Sequence, residues 1–344
     1  MPSLVVNLRD ERPIWTVPDW AIDEIRSAAP DRLEVVVVDS PVDGLGDGGA
    51  AAPEAIAAIP GAEIYLGFGL PEPLFRAAAQ SGGSLRWVHS ATTGIGGSLY
   101  PAMRASPVIL TNSAGTHAEP MADTIVGMMH YFARGLDFAV RAQQARQWDR
   151  SPFDAADSPV HEVAGRTVGL LGYGGIGKAV AERAMALGMK VLAYRRRPDP
   201  KATGVQQLSG SGGLQRVLGE SDYLVVSLPL TPETKGLLHR ERIALLRKEA
   251  VVINVGRGEL LDETALTEAL AAGHLRGAGL DVFAEEPLPP DSPLWRLPNV
   301  LITPHVSPTT HRFWRREVDL ILENLERYEA GETLLNTVDK TAGY

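Results

Sequence analysis

Between Val168 and Gly177 the chain reads Val-Gly-Leu-Leu-Gly-Tyr-Gly-Gly-Ile-Gly, an apolar run that empties into a glycine-rich turn. Gly172, Gly174 and Gly177 set the GxGxxG spacing. In that pattern the first glycine permits the tight turn, the second lets a pyrophosphate approach the backbone, and the third lets the following helix pack on the strand. Gly175 and Ile176 complete the turn, and a helix is expected over Ile176–Leu187 with its N-terminal amides aimed at the phosphates. The next apolar run ends at Tyr194. An NAD site usually carries an acidic residue there, about 20 residues past the motif, to bond the ribose 2′-hydroxyl. This chain carries Arg195, Arg196 and Arg197 instead. A guanidinium cannot accept a hydrogen bond from the hydroxyl, but it pairs well with a 2′-phosphate. The expected cofactor is therefore NADP(H) in preference to NAD(H).

Three later segments carry polar residues in apolar surroundings. They are Val251-Val-Ile-Asn-Val-Gly-Arg257-Gly, Gly279-Leu-Asp281-Val-Phe-Ala-Glu-Glu286-Pro, and Val300-Leu-Ile-Thr-Pro-His305. Each follows an expected strand. In an open α/β sheet ligands bind outside the carboxyl ends of the strands, so Arg257, Glu286 and His305 are expected to reach one crevice. Taken singly, each is also what a strand cap or surface loop carries. There is no HExxH, no His/Asp cluster with ligand spacing and no GxSxG elbow, so neither a metal site nor a serine nucleophile is expected.

The elements that must position these residues are legible from periodicity. Strands are expected at Leu4–Leu8, Leu33–Val38, Ala62–Phe68, Leu85–His89 and Val108–Thr111, with helices at Pro18–Ala29, Pro53–Ile59, Pro71–Gln80 and Leu99–Ala105 between them. Asp43–Gly49 reads as a loop. A second series of six strands is expected at Thr167–Gly172, Lys190–Tyr194, Tyr223–Ser227, Ala250–Asn254, Gly277–Val282 and Asn299–Thr303. Strand–helix alternation implies parallel sheets covered by helices. A long helix, Ala118 to about Gln144, precedes this series, and a last helix, about Thr309–Ala330, follows it. Trp148 and Trp295 are expected in the core.

The chain has 344 residues, a net charge of −9 and no cysteine. That length suits two domains. The acidic balance disfavours nucleic acid as a partner. Without cysteine there are no disulfides or thiol nucleophiles. No run of about 18 apolar residues is present and the N-terminus has no signal-peptide pattern, so no membrane span and a cytoplasmic location are expected.

The glycine motif, Ser227-Leu-Pro-Leu-Thr-Pro-Glu-Thr, Asn254-Val-Gly-Arg-Gly, Leu280-Asp-Val-Phe with Glu286-Pro287, and Thr303-Pro-His305 occur in one order. Jointly they resemble the signature regions of the D-isomer-specific 2-hydroxyacid dehydrogenases, over about Trp87 to Val338. The resemblance implies two Rossmann-like α/β domains. A discontinuous flavodoxin-like substrate domain would comprise 1–111 and 312–344, and an inserted dinucleotide-binding domain 112–311. It implies hydride transfer between NAD(P)H and a 2-oxo acid to give a D-2-hydroxy acid. Arg257 would bind the substrate carboxylate and keto oxygen, His305 would be the acid/base, and Glu286 would orient its imidazole. Asp281, Pro229 and Val255 would adjoin the nicotinamide, and the backbone at Thr93 and Gly94 would hold the substrate carboxylate. Trp314, just past His305, is a pocket candidate. The segment Ala118–Gln144 matches the family's dimer-forming region and carries a Met-rich apolar face that one domain leaves partly uncovered, so a homodimer is expected. Two other readings keep the same triad: a dinucleotide-sensing co-repressor on the same fold, and phosphite oxidation.

Overall fold

The computed structural model of the chain describes residues 1–42, 51–80, 82–197 and 199–343. The loop expected at Asp43–Gly49 lies outside the described residues. The chain begins with β1 (Ser3–Asn7), α1 (Asp19–Ala28), β2 (Glu34–Val37), α2 (Pro53–Ala58), β3 (Ala62–Gly67) and α3 (Glu72–Gln80). It continues through β4 (Trp87–Ser90), α4 (Pro101–Ala105), β5 (Ile109–Asn112), α5 (Ala118–Ala133), α6 (Leu136–Gln144) and α7 (Ser151–Asp154). Then come β6 (Thr167–Leu171), α8 (Gly175–Ala186), β7 (Lys190–Tyr194), β8 (Val205–Leu208), α9 (Gly210–Glu220) and β9 (Tyr223–Val226). The last elements are α10 (Arg240–Ile243), β10 (Val251–Asn254), α11 (Glu263–Ala271), β11 (Gly277–Leu280), β12 (Val300–Ile302) and α12 (Phe313–Glu329). Two compact units result: Met1–His117 with Thr309–Tyr344, and Ala118–Pro308. The sequence reading put the change-overs at 111/112 and 311/312. No helix among the described residues is long and apolar enough to cross a membrane.

The first unit is built on a five-stranded parallel sheet in the order β2-β1-β3-β4-β5, the doubly wound flavodoxin order. Alternate side chains of one strand serve opposite faces, as a period of two requires. Leu4 and Val6 of β1 pack into one core with Phe313, Val318 and Ile321 of α12, while Val5 packs into the other with Leu74 and Val88. The C-terminal helix therefore belongs to this unit and lies against α1.

The second unit holds a seven-stranded sheet in the order β12-β11-β10-β9-β6-β7-β8, parallel throughout. Counted from β6, this is the dinucleotide-binding order with one further strand beyond β11. Six strands were expected. The seventh, β8, reads Val-Gln-Gln-Leu and lies at the sheet edge. Its half-exposed face needs no apolar run, so it left no signature of strand burial in the sequence. The chain order reverses between β6 and β9, which opens the crevice beside the carboxyl end of β6.

The segment expected as one helix over Ala118–Gln144 is two, because Gly135 takes φ of 65° and ends the first. The Met-rich face of α5 is covered within its own unit, contrary to expectation. Met128 fills the space that the missing side chain of Gly279 leaves, and Phe132 does the same at Gly277. Leu136 and Val140 of α6 remain exposed. A buried pair pins α6 to the start of β11: the guanidinium of Arg276 donates to both oxygens of Asp137, at 3.0 and 2.8 Å. Trp148 and Trp295 are not core residues, being 95% and 51% exposed. Each lies outside the strands and helices that bury side chains by period. Trp314 is buried in the first unit's core, edge-on to Phe68 and Phe313.

Candidate active site

All strands of the second unit run the same way, so every loop that follows one opens at the same end of the sheet. The turn at Gly172 follows β6, Arg195 follows β7, Pro229 follows β9, Arg257 follows β10, Asp281 to Glu286 follow β11, and His305 follows β12.

At the glycine turn, Gly172 adopts φ of 106°, and a Cβ at Gly177 would stand 2.3 Å from the Gly172 carbonyl oxygen. The helix α8 thus starts hard against the strand end. A Cβ at Gly174 would meet nothing within 4 Å, and no side chain caps the first turn of α8. The uncovered amides of Gly175, Ile176 and Gly177 fit a pyrophosphate. Beside them the Arg195 guanidinium lies over the Tyr173 ring at 5.8 Å. Its NH1 nitrogen is buried and makes no hydrogen bond to the described protein, with the Asp199 carboxylate at ion-pair distance, 3.6 Å. Arg196 and Arg197 are exposed. Val255 is buried in the core and Pro229 is exposed.

Glu286 and His305 meet directly: His305 Nδ1 lies 2.8 Å from Glu286 Oε2, and Glu286 Oε1 accepts a hydrogen bond from the Phe283 amide at 2.9 Å. Burial pushes the Glu286 carboxyl up. The hydrogen bonds from His305 and Phe283, with the charges of His305 and Arg257, outweigh burial and hold it below the usual carboxylate range. Arg257 is brought close by a glycine. A Cβ on Gly258 would stand 1.9 Å from the Phe283 carbonyl carbon, so only glycine lets the Arg257 loop press on the Glu286 loop. The exposed Arg257 donates through NH1 to the Gly256 carbonyl at 2.7 Å, and Asn254 Nδ2 donates to the Arg257 carbonyl at 3.0 Å.

One residue that positions the site has no expected role in the sequence, and another has a duty beyond the expected one. Glu263, at the start of α11, accepts from the Ala284 amide at 2.6 Å and steadies the loop that carries Glu286. Asp281 was read as a neighbour of the nicotinamide, but its fully buried carboxylate also gathers the His305 loop. It accepts from Thr303 Oγ1 at 2.6 Å and from the amides of Val306 and Ser307 at 2.9 and 3.1 Å. The Asp281 carbonyl accepts from the His305 amide at 2.9 Å. These bonds hold His305 at φ of 53°, a conformation that a non-glycine residue keeps only when its surroundings enforce it. An acid one residue past a strand carries no local sign of that duty.

Thr93 and Gly94 belong to the first unit, in the loop after β4. The Ser113 amide donates to the Thr92 carbonyl at 3.1 Å, Asn112 Nδ2 to the Thr93 carbonyl at 3.0 Å, and Thr92 Oγ1 to the Gly94 carbonyl at 2.6 Å. Behind them lies a fully buried polar cluster that the sequence did not announce. Glu317 Oε1 contacts His89 Nε2 at 2.7 Å and accepts from Ser113 Oγ at 2.9 Å.

The chain is similar to known proteins. Residues 126–307 match the family model described as D-isomer specific 2-hydroxyacid dehydrogenase, NAD binding domain. A glyoxylate/hydroxypyruvate reductase B of Pectobacterium carotovorum is 39% identical over 241 residues, covering 69% of this chain and 74% of that protein. Among solved structures, a D-isomer specific 2-hydroxyacid dehydrogenase of Xanthobacter autotrophicus Py2, in complex with NADPH and MES, superposes with a TM-score of 0.80. It is 31% identical, over 100% of this chain and 99% of that one. An NADPH-dependent glyoxylate/hydroxypyruvate reductase of Sinorhizobium meliloti, in complex with NADP and sulfate, gives 0.78 at 27% identity, with both chains covered in full.

Proposed function

The chain belongs to the D-isomer-specific 2-hydroxyacid dehydrogenase family, and on that footing we propose that it reduces short 2-oxo acids of the glyoxylate/hydroxypyruvate class with NADPH. The observation that carries the reading is the His305–Glu286 contact at 2.8 Å with Arg257 on the adjoining loop. Such a set binds a carboxylate and delivers a proton to an oxygen beside it.

The bound nicotinamide supplies the hydride. Arg257 binds the substrate carboxylate and polarises the keto oxygen with its planar fork. His305 enters charged, its Nδ1–H held by Glu286, and gives a proton to the keto oxygen as negative charge develops there. Glu286 keeps the ring in place and stabilises its charged form. In the oxidative direction neutral His305 takes the hydroxyl proton. The backbone of Thr93 and Gly94 is proposed as a second holder of the substrate carboxylate. Asp281, Pro229 and Val255 are proposed to adjoin the nicotinamide.

The choice of NADPH rests on Arg195, whose buried NH1 makes no hydrogen bond to the described protein, and on Arg196 and Arg197 where an acid would serve NAD. NADH remains the second cofactor. The relatives named above are reductases and dehydrogenases, which does not favour a co-repressor role or phosphite oxidation. We further propose a homodimer through α6 and the stretch after it, where Leu136, Val140 and Trp148 are exposed, and a cytoplasmic location, in keeping with the absence of cysteine. Steady-state kinetics with glyoxylate, hydroxypyruvate, phenylpyruvate and branched 2-oxo acids, each with NADPH and NADH, test the reading. Turnover of none of them rejects it.

A further inference from the structure

Two cations of the second unit converge on one carboxylate next to the glycine turn. Lys178, in the first turn of α8, places Nζ 2.8 Å from Asp199 Oδ2, and Arg195, at the end of β7, places NH1 3.6 Å from the same oxygen. Lys178 and Arg195 come from different elements, so this meeting is tertiary. It is a small anion site, and the anion in it is the chain's own.

Asp199 is held there firmly. Its Oδ1 accepts from the Lys201 amide at 3.0 Å. Its backbone is clamped on both sides by one side chain: the Asp199 amide donates to Gln207 Oε1 at 2.6 Å, and Gln207 Nε2 donates to the Asp199 carbonyl at 2.8 Å. Gln207 lies in β8, so the sheet edge fixes the loop. The hydrogen bond from Lys178, the Lys201 amide and the charges of Lys178 and Arg195 keep the Asp199 carboxyl below its usual range, so it is ionised at neutral pH. A second carboxylate, Glu233, also feels the arginine cluster: hydrogen bonds with Thr231 and its own backbone, and then the charge of Arg196, hold it low. It is fully exposed and does not bridge the two cations.

We propose that Asp199 is a specificity-determining residue: its carboxylate occupies Lys178 and Arg195 and so tempers the preference for NADPH over NADH, with Lys178 the second cation available to a 2′-phosphate. This rests on the reading of Arg195 as the 2′-phosphate partner. The physical reason is simple. The phosphate carries nearly two negative charges and must share its cations with a fixed like charge, whereas the ribose hydroxyl of NADH carries none. Removing one unit charge several ångströms from a phosphate at a partly exposed site changes a binding constant by roughly three- to tenfold.

The test is direct binding, followed by fluorescence titration of the whole protein with NADPH and with NADH at fixed ionic strength. Asp199→Asn is expected to tighten NADPH about three- to tenfold while NADH changes by less than about twofold. Lys178→Ala is expected to weaken NADPH selectively. Asp199→Ser, which keeps an acceptor for the Lys201 amide without the charge, should repeat the Asn result and guards against a folding defect in one variant. If both Asp199 variants leave the NADPH/NADH ratio unchanged or lower it, while Arg195→Ala lowers it, the counter-charge role is overturned and the cofactor reading stands. If Arg195→Ala leaves the ratio unchanged, the 2′-phosphate reading falls and takes this proposal with it.

Discussion

His305 meets Glu286 through Nδ1, at 2.8 Å, so in the proposed mechanism the nitrogen left to exchange protons with substrate is Nε2. The carboxylate that makes this contact is itself fixed by the Phe283 amide. Ring orientation and tautomer are thus decided by one residue, and the first prediction concerns it.

Reduction requires charged His305. Glu286 fixes the His305 ring through Nδ1, so Glu286→Gln should lower kcat for reduction and leave the KM for the 2-oxo acid little changed. His305→Ala should lower kcat roughly 10²- to 10⁴-fold at every pH. The stability sign follows from the lowered carboxyl. Its contribution is present above the ordinary carboxylate range and is lost as pH falls through the lowered value. The Tm difference between wild type and Glu286→Gln should therefore shrink on acidification. A kcat for reduction unchanged in Glu286→Gln, with chemistry rate-limiting, would remove the pairing from the mechanism.

Asp281→Asn tests the loop that sets His305. An asparagine accepts fewer hydrogen bonds and turns an amide toward the Ser307 amide, so a charge-assisted contact is replaced by a clash of donors. Hydrogen bonds to a charged group contribute about 1.5–3 kcal/mol each. The variant should lose about that much stability in a denaturant titration, and kcat should fall with it because φ of 53° at His305 is no longer enforced. A normal kcat in a folded variant would show that the loop holds its shape without this carboxylate.

Glu317→Ala should be costly in the first unit. The carboxylate and His89 are both fully buried and joined at 2.7 Å, and leaving a buried polar partner unsatisfied costs about 1–3 kcal/mol. Because Ser113 also bonds Glu317 and its amide steadies Thr92, the KM for the 2-oxo acid should rise as well. Chemical denaturation and steady-state kinetics on the same preparation check both halves.

Light scattering at micromolar concentration should give twice the chain mass. Trp148→Glu, at a residue 95% exposed in the single chain, should shift the mass toward the monomer without lowering the Tm of the unit. A wild-type monomer at that concentration would reject the dimer.

The turn at Gly172–Gly177 and the segments bearing Arg257, Glu286 and His305 were legible in the sequence because each is local. A strand of apolar residues ends, and a glycine, arginine, glutamate or histidine stands just past it. Parallel strands bring such ends to one edge whatever their order. The same locality explains the arginines after β7. What the sequence left open depends on which distant residue covers which surface. The Met-rich stripe of α5 was visible as a period, but its burial was decided by Gly277 and Gly279 of β11, whose missing side chains make room for Phe132 and Met128. Trp148 looked like core by residue type, and only packing shows that nothing among the described residues covers it. β8 escaped because an edge strand with one polar face needs no apolar run. Asp281, Asp199 and Lys178 are ordinary charged residues in sequence. Asp281 acquires its duty only where the turn after β12 folds back onto the end of β11. Asp199 and Lys178 acquire theirs only where the loop after β7 returns to the first turn of α8, because a charge has no role until the fold supplies its partner.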